Sequence, residues 1–89
     1  MKTVHIDISG KVHGVFFRAT AKEIAQFFHI SGWIKNSEQG KVEAIVTGEE
    51  EDIDEFISWC RHGPDRAKVE EVICTGITLQ IFDKFEIIR

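Results

Sequence analysis

Proline occurs once in these 89 residues, and apolar residues never run longer than three in a row (Val15 to Phe17). A membrane-spanning helix needs about 20 consecutive apolar residues, and a secretory leader also needs an apolar stretch, so neither is expected. The chain is therefore expected in the cytoplasm, and it is expected as one domain over residues 1–89, because chains divide into separate cores only at about three times this length. Cysteine is scarce too. Cys60 and Cys74 are too few to staple a secreted fold and too far apart for a C-x-x-C redox or zinc pair, so both are expected as reduced packing residues. Positive charge is in deficit, with 11 basic against 15 acidic side chains, which disfavours nucleic acid as a partner.

Several catalytic signatures are also missing. His5, His13, His29 and His62 share no metal-ligand spacing, and no H-x-x-x-H pair accompanies them. No G-x-S-x-G elbow and no glycine-rich loop ending in Lys-Ser/Thr is present, which removes the nucleophilic serine and the nucleotide-phosphate cradle. Neither a metal nor an organic cofactor is expected. The run Glu49-Glu50-Glu51-Asp52 is read as the solvated, dipole-complementing first turn of a helix.

What the chain does hold is 43% apolar and 29% charged residues, the composition of a globular protein. Its charge is uneven. Residues 1–47 carry 6 basic and 4 acidic side chains (+2), and residues 48–89 carry 5 and 11 (−6), so an anion site belongs in the first half.

Val4, Ile6 and Ile8 alternate with His5, Asp7 and Ser9, which predicts a half-buried strand ending at Gly10. Ala21, Ile24, Ala25 and Phe28 follow helical spacing and predict an amphipathic helix over roughly 18–29. Gly32-Trp33-Ile34-Lys35-Asn36 is β-prone, Ser37 to Gly40 reads as a turn, and Val42, Ala44 and Val46 resume the alternation. Ile53, Phe56, Ile57 and Cys60 form a second helical stripe, closed by Arg61-His62-Gly63-Pro64 with its glycine and proline stop. Val69 to Cys74 and Phe85 to Ile88 are the last β-prone segments, with residues 76–84 unassigned.

The order β-α-β-β-α-β, with a short fifth strand allowed, predicts an α+β ferredoxin-like split β-α-β sandwich. Two helices would lie on one face of a four- to five-stranded antiparallel sheet. In that topology the third strand lies between the first two, so the loops after strands 1 and 2 are neighbours, about 10 Å apart.

The first of these loops is Gly10-Lys11-Val12-His13-Gly14-Val15-Phe16-Phe17-Arg18. Glycines let consecutive amides converge, a helix N-terminus adds unpaired N–H donors, and arginine presents a planar fork that matches phosphate. The same loop also reads as an ordinary strand-to-helix connection. Asn36, at the end of the second strand, has an equally plain role as the start of a hairpin turn. Shared placement at one sheet edge is what makes Arg18 and Asn36 a candidate hydrolytic pair, an anion-binding guanidinium beside an amide able to orient water.

At these residues the chain resembles the acylphosphatase family. Gly10 to Arg18 is similar to the family signature G-x-V-Q-G-V-x-F-R. Gly32-Trp33-Ile34-Lys35-Asn36 with Gly40, Val42 and Gly48 is similar to the second, G-[FYW]-[AVC]-K-N-x-x-x-G-x-V-x-x-x-x-x-G. The likeness continues through Phe56 to Pro64 and Phe85 to Ile87, with His13 standing where glutamine is usual and Ile34 where a smaller residue is.

The resemblance implies a hydrolase that splits acyl phosphates into carboxylate and inorganic phosphate; a monomer is expected, since nothing in the sequence demands more. It implies that Arg18 binds the phosphoryl group with the amides of Gly14, Val15, Phe16, Phe17 and Arg18, that Asn36 positions the attacking water, and that Ser37 supports the site by bracing the Asn36 amide; His13, a departure from the family pattern, is expected as a supporting residue that alters the packing of the loop. Two rival readings use the same fold. An RNA-binding module would need aromatics on its central strands, where this chain has Val42 to Val46. A non-catalytic ligand-binding or regulatory domain would be expected to lose Arg18 or Asn36, and both are present.

Overall fold

The computed structural model describes residues 1–89 and contains five strands and two helices. They are β1 (Lys2–Lys11), α1 (Phe17–Phe27), β2 (Ser31–Asn36), β3 (Val42–Gly48), α2 (Glu50–His62), β4 (Lys68–Ile77) and β5 (Phe85–Ile87). One sheet holds all five strands in the order β4-β1-β3-β2-β5, so β3 lies between β1 and β2 as the split β-α-β topology requires. No helix is long and apolar enough to cross a membrane.

The period-2 alternation decides which side chains meet the helices. Val4 pairs with Val46, Ile6 with Ala44 and Ile8 with Val42 across β1 and β3, and Ile34 of β2 joins the row through Ala44. All of these are buried, and with Phe17, Ala21 and Ala25 of α1 and Ile53, Phe56 and Cys60 of α2 they form the core. Phe17 packs on Trp59 with ring centroids 5.2 Å apart, joining the start of α1 to the end of α2. Gly63, at φ 68°, ends α2 by donating its N–H to the Trp59 carbonyl at 2.8 Å.

Two expectations change here. The sheet is not antiparallel throughout, because β5 runs parallel to β2, with Ile34 opposite Ile87. Residues 78–84 supply the crossover that takes the chain from β4 at one edge of the sheet to the β2 edge at the other. Cys60 is buried as expected, but Cys74 is exposed, and both thiols are free. Cys74 pairs with Ile6 on β1 and so shares its alternation, yet β4 is an edge strand and position 74 lies outside the helix cover.

Candidate active site

The turn from β1 into α1 is shaped by two left-handed residues, Gly14 at φ 70° and Phe16 at φ 62°. A Cβ on Gly14 would meet nothing within 4 Å, so glycine serves the backbone conformation here rather than the packing. Phe16 is the N-cap of α1 and offers no side-chain acceptor to the first turn. The amides of Gly14, Val15, Phe16, Phe17 and Arg18 donate to no other backbone group, and no side-chain hydrogen bond reaches them; Thr20 is the first residue to bond back, to the Phe16 carbonyl at 3.1 Å. Consecutive unpaired donors at a helix N-terminus form an anion cradle.

The side chains of this loop divide by role. Val15 and Phe17 are buried and anchor it in the core. Phe16 is 76% exposed, an unusual place for an aromatic ring. Arg18, in the first turn of α1, is half-buried and takes part in no ion pair, which leaves its guanidinium open to an anionic ligand.

Alternation along β2 puts Gly32, Ile34 and Asn36 on the helix side, and Asn36 lies opposite Val42 at the last pair of the ladder. It therefore projects past the end of the core toward the start of α1. A cavity of about 310 Å³ at this edge is lined by Val12, Gly14, Phe16, Phe17, Arg18, Ala19, Asn36, Ile87 and Arg89. The two residues singled out from separate loops, Arg18 and Asn36, line the same cavity.

Asn36 makes no side-chain hydrogen bond; the hairpin after it is held by its backbone, Ser37 N–H to the Lys41 carbonyl at 2.8 Å and Gly40 N–H to the Ser37 carbonyl at 3.3 Å. The turn-forming role weighed for the Asn36 amide is thus carried by other atoms. His13 Nε2 donates to that same Lys41 carbonyl at 2.7 Å. One carbonyl oxygen thereby ties the phosphate-type loop to the hairpin that bears Asn36. Ser37 does not brace the Asn36 amide: its Oγ is buried without any hydrogen-bond partner. As the next residue after Asn36 it leaves the strand toward the opposite side, where it borders a separate polar depression.

Neither Arg89 nor Ile87 was expected as a site residue, although the family likeness reaches Ile87. Their place follows from the parallel pairing of β5 with β2, which carries the residues after Ile87 to the Asn36 end of the sheet. The histidines also hold a surprise. Although no sequence spacing suggested it, His5, Asp7 and Glu43 bring one donor atom each within 4.8 Å of one another, across two strands of the opposite face.

The family model for acylphosphatase matches residues 4–87. A relative named acylphosphatase from Syntrophus aciditrophicus is 43% identical over 89 residues, covering 99% of this chain and 93% of its own length. The crystal structure of acylphosphatase from Bacillus subtilis superposes with a TM-score of 0.96 over 100% of both chains, at 29% identity. An acylphosphatase structure from Coxiella burnetii gives 0.94 over 97% of this chain and 90% of that one, at 34% identity. With the fold, the paired signatures and near full-length relatives in agreement, this chain belongs to the acylphosphatase family.

Proposed function

We propose that the protein hydrolyses acyl phosphates to carboxylate and inorganic phosphate at the cavity between the β1–α1 loop and the end of β2. Family membership supports the activity, and the observation that carries the site is one cavity lined by Asn36, by Arg18 with its unpaired guanidinium, and by Gly14, Phe16 and Phe17 of the loop whose amides are unpaired.

In this reading the dianionic phosphoryl group sits in the cradle of the 14–18 amides, with the Arg18 fork taking two of its oxygens. The Asn36 side-chain oxygen accepts a hydrogen bond from water and holds it for in-line attack on phosphorus. The new P–O bond forms from the water oxygen as the bond to the acyl oxygen breaks, and the bonding pair leaves with the carboxylate. The water's proton passes to phosphate and solvent. A carboxylate is a good leaving group, so charge stabilisation and orientation suffice, and the reaction needs no covalent nucleophile, strong general acid or metal. The half-buried, unpaired state of Arg18 suits this role, since a guanidinium already committed to a carboxylate would have to break that pair first. In this reading the chain acts as a monomer.

Steady-state turnover of benzoyl phosphate, with a phosphate monoester as control, tests the activity. Turnover of the first and not the second is expected, and chelation should leave it unchanged. Inorganic phosphate, as product, should inhibit competitively and stabilise the fold by about 2.7 kcal/mol at a hundredfold excess over its dissociation constant. A well-folded protein that hydrolyses no acyl phosphate, or that phosphate neither inhibits nor protects, would overturn the reading.

A further inference from the structure

The face of the sheet turned away from the helices carries a second constellation. His5 and Asp7 are two residues apart on β1 and so point to the same side, and Glu43 of β3 lies directly opposite Asp7 in the ladder. All three are half-buried, and their donor atoms lie within 4.8 Å of one another.

Two carboxylates placed directly opposite on an antiparallel pair repel each other. The surroundings compensate only one of them. Glu43 is shared, its Oε2 lying 2.6 Å from His5 Nε2 and its Oε1 lying 3.7 Å from Lys35 Nζ. Asp7 has no ion pair and no side-chain hydrogen bond. The constellation therefore has an unanswered negative charge beside an imidazole nitrogen. It borders a depression of about 520 Å³ that no apolar side chain lines, open to a hydrated ion.

We propose that His5, Asp7 and Glu43 form a binding site for a divalent transition-metal ion of the zinc type. One imidazole nitrogen and two carboxylate oxygens are a borderline-soft donor set, which suits zinc, cobalt or nickel better than magnesium or calcium with their all-oxygen shells. At bond lengths of about 2.0–2.1 Å, tetrahedral donors sit about 3.3 Å apart. The widest pair of donors has to close by about 1.5 Å at most, and His5 Nε2 and Glu43 Oε2, now 2.6 Å apart, have to open by about 0.7 Å, both within reach of side-chain torsions on a fixed backbone. The ion replaces the proton between His5 and Glu43, neutralises Asp7, and takes its fourth ligand from water in the depression. Lys35 contacts the other oxygen of Glu43 and also lies 5.3 Å from the centre of the Trp33 ring, so it can stay in place as Glu43 turns. The site lies on the opposite face of the sheet from the catalytic cavity and does not depend on the function assigned there.

Calorimetric titration of the full chain with zinc chloride, in buffer free of phosphate and chelators, tests the proposal. One equivalent should bind in the micromolar range. His5→Ala and the near-isosteric Glu43→Gln should each weaken binding at least about tenfold, the scale on which even outer-sphere partners act. Cobalt should give the intense visible bands of a four-coordinate site in the parent chain and lose them in both variants. A His29→Ala/His62→Ala double variant should bind as the parent does. Absence of saturable binding up to millimolar zinc, parental affinity in His5→Ala and Glu43→Gln, or loss of binding in the double variant would each overturn the assignment.

Discussion

Replacing Asn36 by alanine separates catalysis from architecture, because the structure predicts almost no architectural cost. Asn36 is exposed at the last pair of β2, its amide bonds to nothing, and the hairpin that follows is closed by Ser37 and Gly40 backbone groups. A surface truncation of this kind changes stability by no more than about 0.5 kcal/mol. Turnover should respond differently. If the amide holds the attacking water, its removal costs at least about 10² in kcat, equivalent to about 2.7 kcal/mol of transition-state stabilisation. Phosphate inhibition, which the proposed site assigns to Arg18 and the loop amides, should stay within about threefold of the parent value. Benzoyl phosphate kinetics, the phosphate inhibition constant and the thermal midpoint measured on the same preparation decide the matter. An alanine variant that is less stable but fully active would return Asn36 to the hairpin and remove it from the mechanism. One that loses phosphate affinity in step with turnover would make it a binding residue instead.

Arg18→Lys keeps the charge and discards the planar fork, so phosphate inhibition and turnover should both collapse while the thermal midpoint holds; near-parental kinetics would make Arg18 a bystander. His13→Gln keeps a donor for the Lys41 carbonyl and should retain most activity, whereas His13→Ala should lower kcat without changing the mode of phosphate inhibition; equal kinetics in both would deny the brace a role. Burial, reinforced by neighbouring Cys74 and partly offset by Arg61, pushes the Cys60 thiol far above its ordinary value of 9.0. The native state then keeps a proton that the unfolded chain releases, so this contribution to stability is complete below about pH 9 and falls by up to about 1.4 kcal/mol per pH unit above it. Urea unfolding across that range should show the decline in the parent chain and a shallower one in Cys60→Ala; identical slopes would refute the linkage.

Much of the fold was legible in the sequence because its signals are local. Alternation at Val4, Ile6 and Ile8 and helical spacing at Ile53, Phe56 and Cys60 each report the environment of one element, and the structure buries all six. The partner of β5 was not legible. A three-residue strand carries too little pattern to choose between neighbours, and its parallel pairing with β2 is decided by where residues 78–84 lead it. Cys74 failed for a related reason: its type suggests packing, but its exposure depends on how far the helices extend over an edge strand, which no residue near position 74 encodes.

The candidate site shows the same division at finer scale. Arg18 and Asn36 carry chemistry in their own side chains, so motif and topology together were enough to place them at one edge. His13 is different. Its substitution for the usual glutamine reads in sequence as a departure, yet either side chain can donate a hydrogen bond, and the acceptor is a backbone carbonyl 28 residues away. Because Ser37 N–H bonds to that same oxygen, displacing the His13 ring would loosen the loop and the hairpin together. The β1–α1 loop and Asn36 follow from strands that never pair with each other, since β3 lies between them. Orientation between them therefore rests on contacts across the end of β3, and the Lys41 carbonyl is where such a contact is made. A donor at position 13 is what the proposed geometry calls for there, and the imidazole supplies it through Nε2–H to the Lys41 carbonyl.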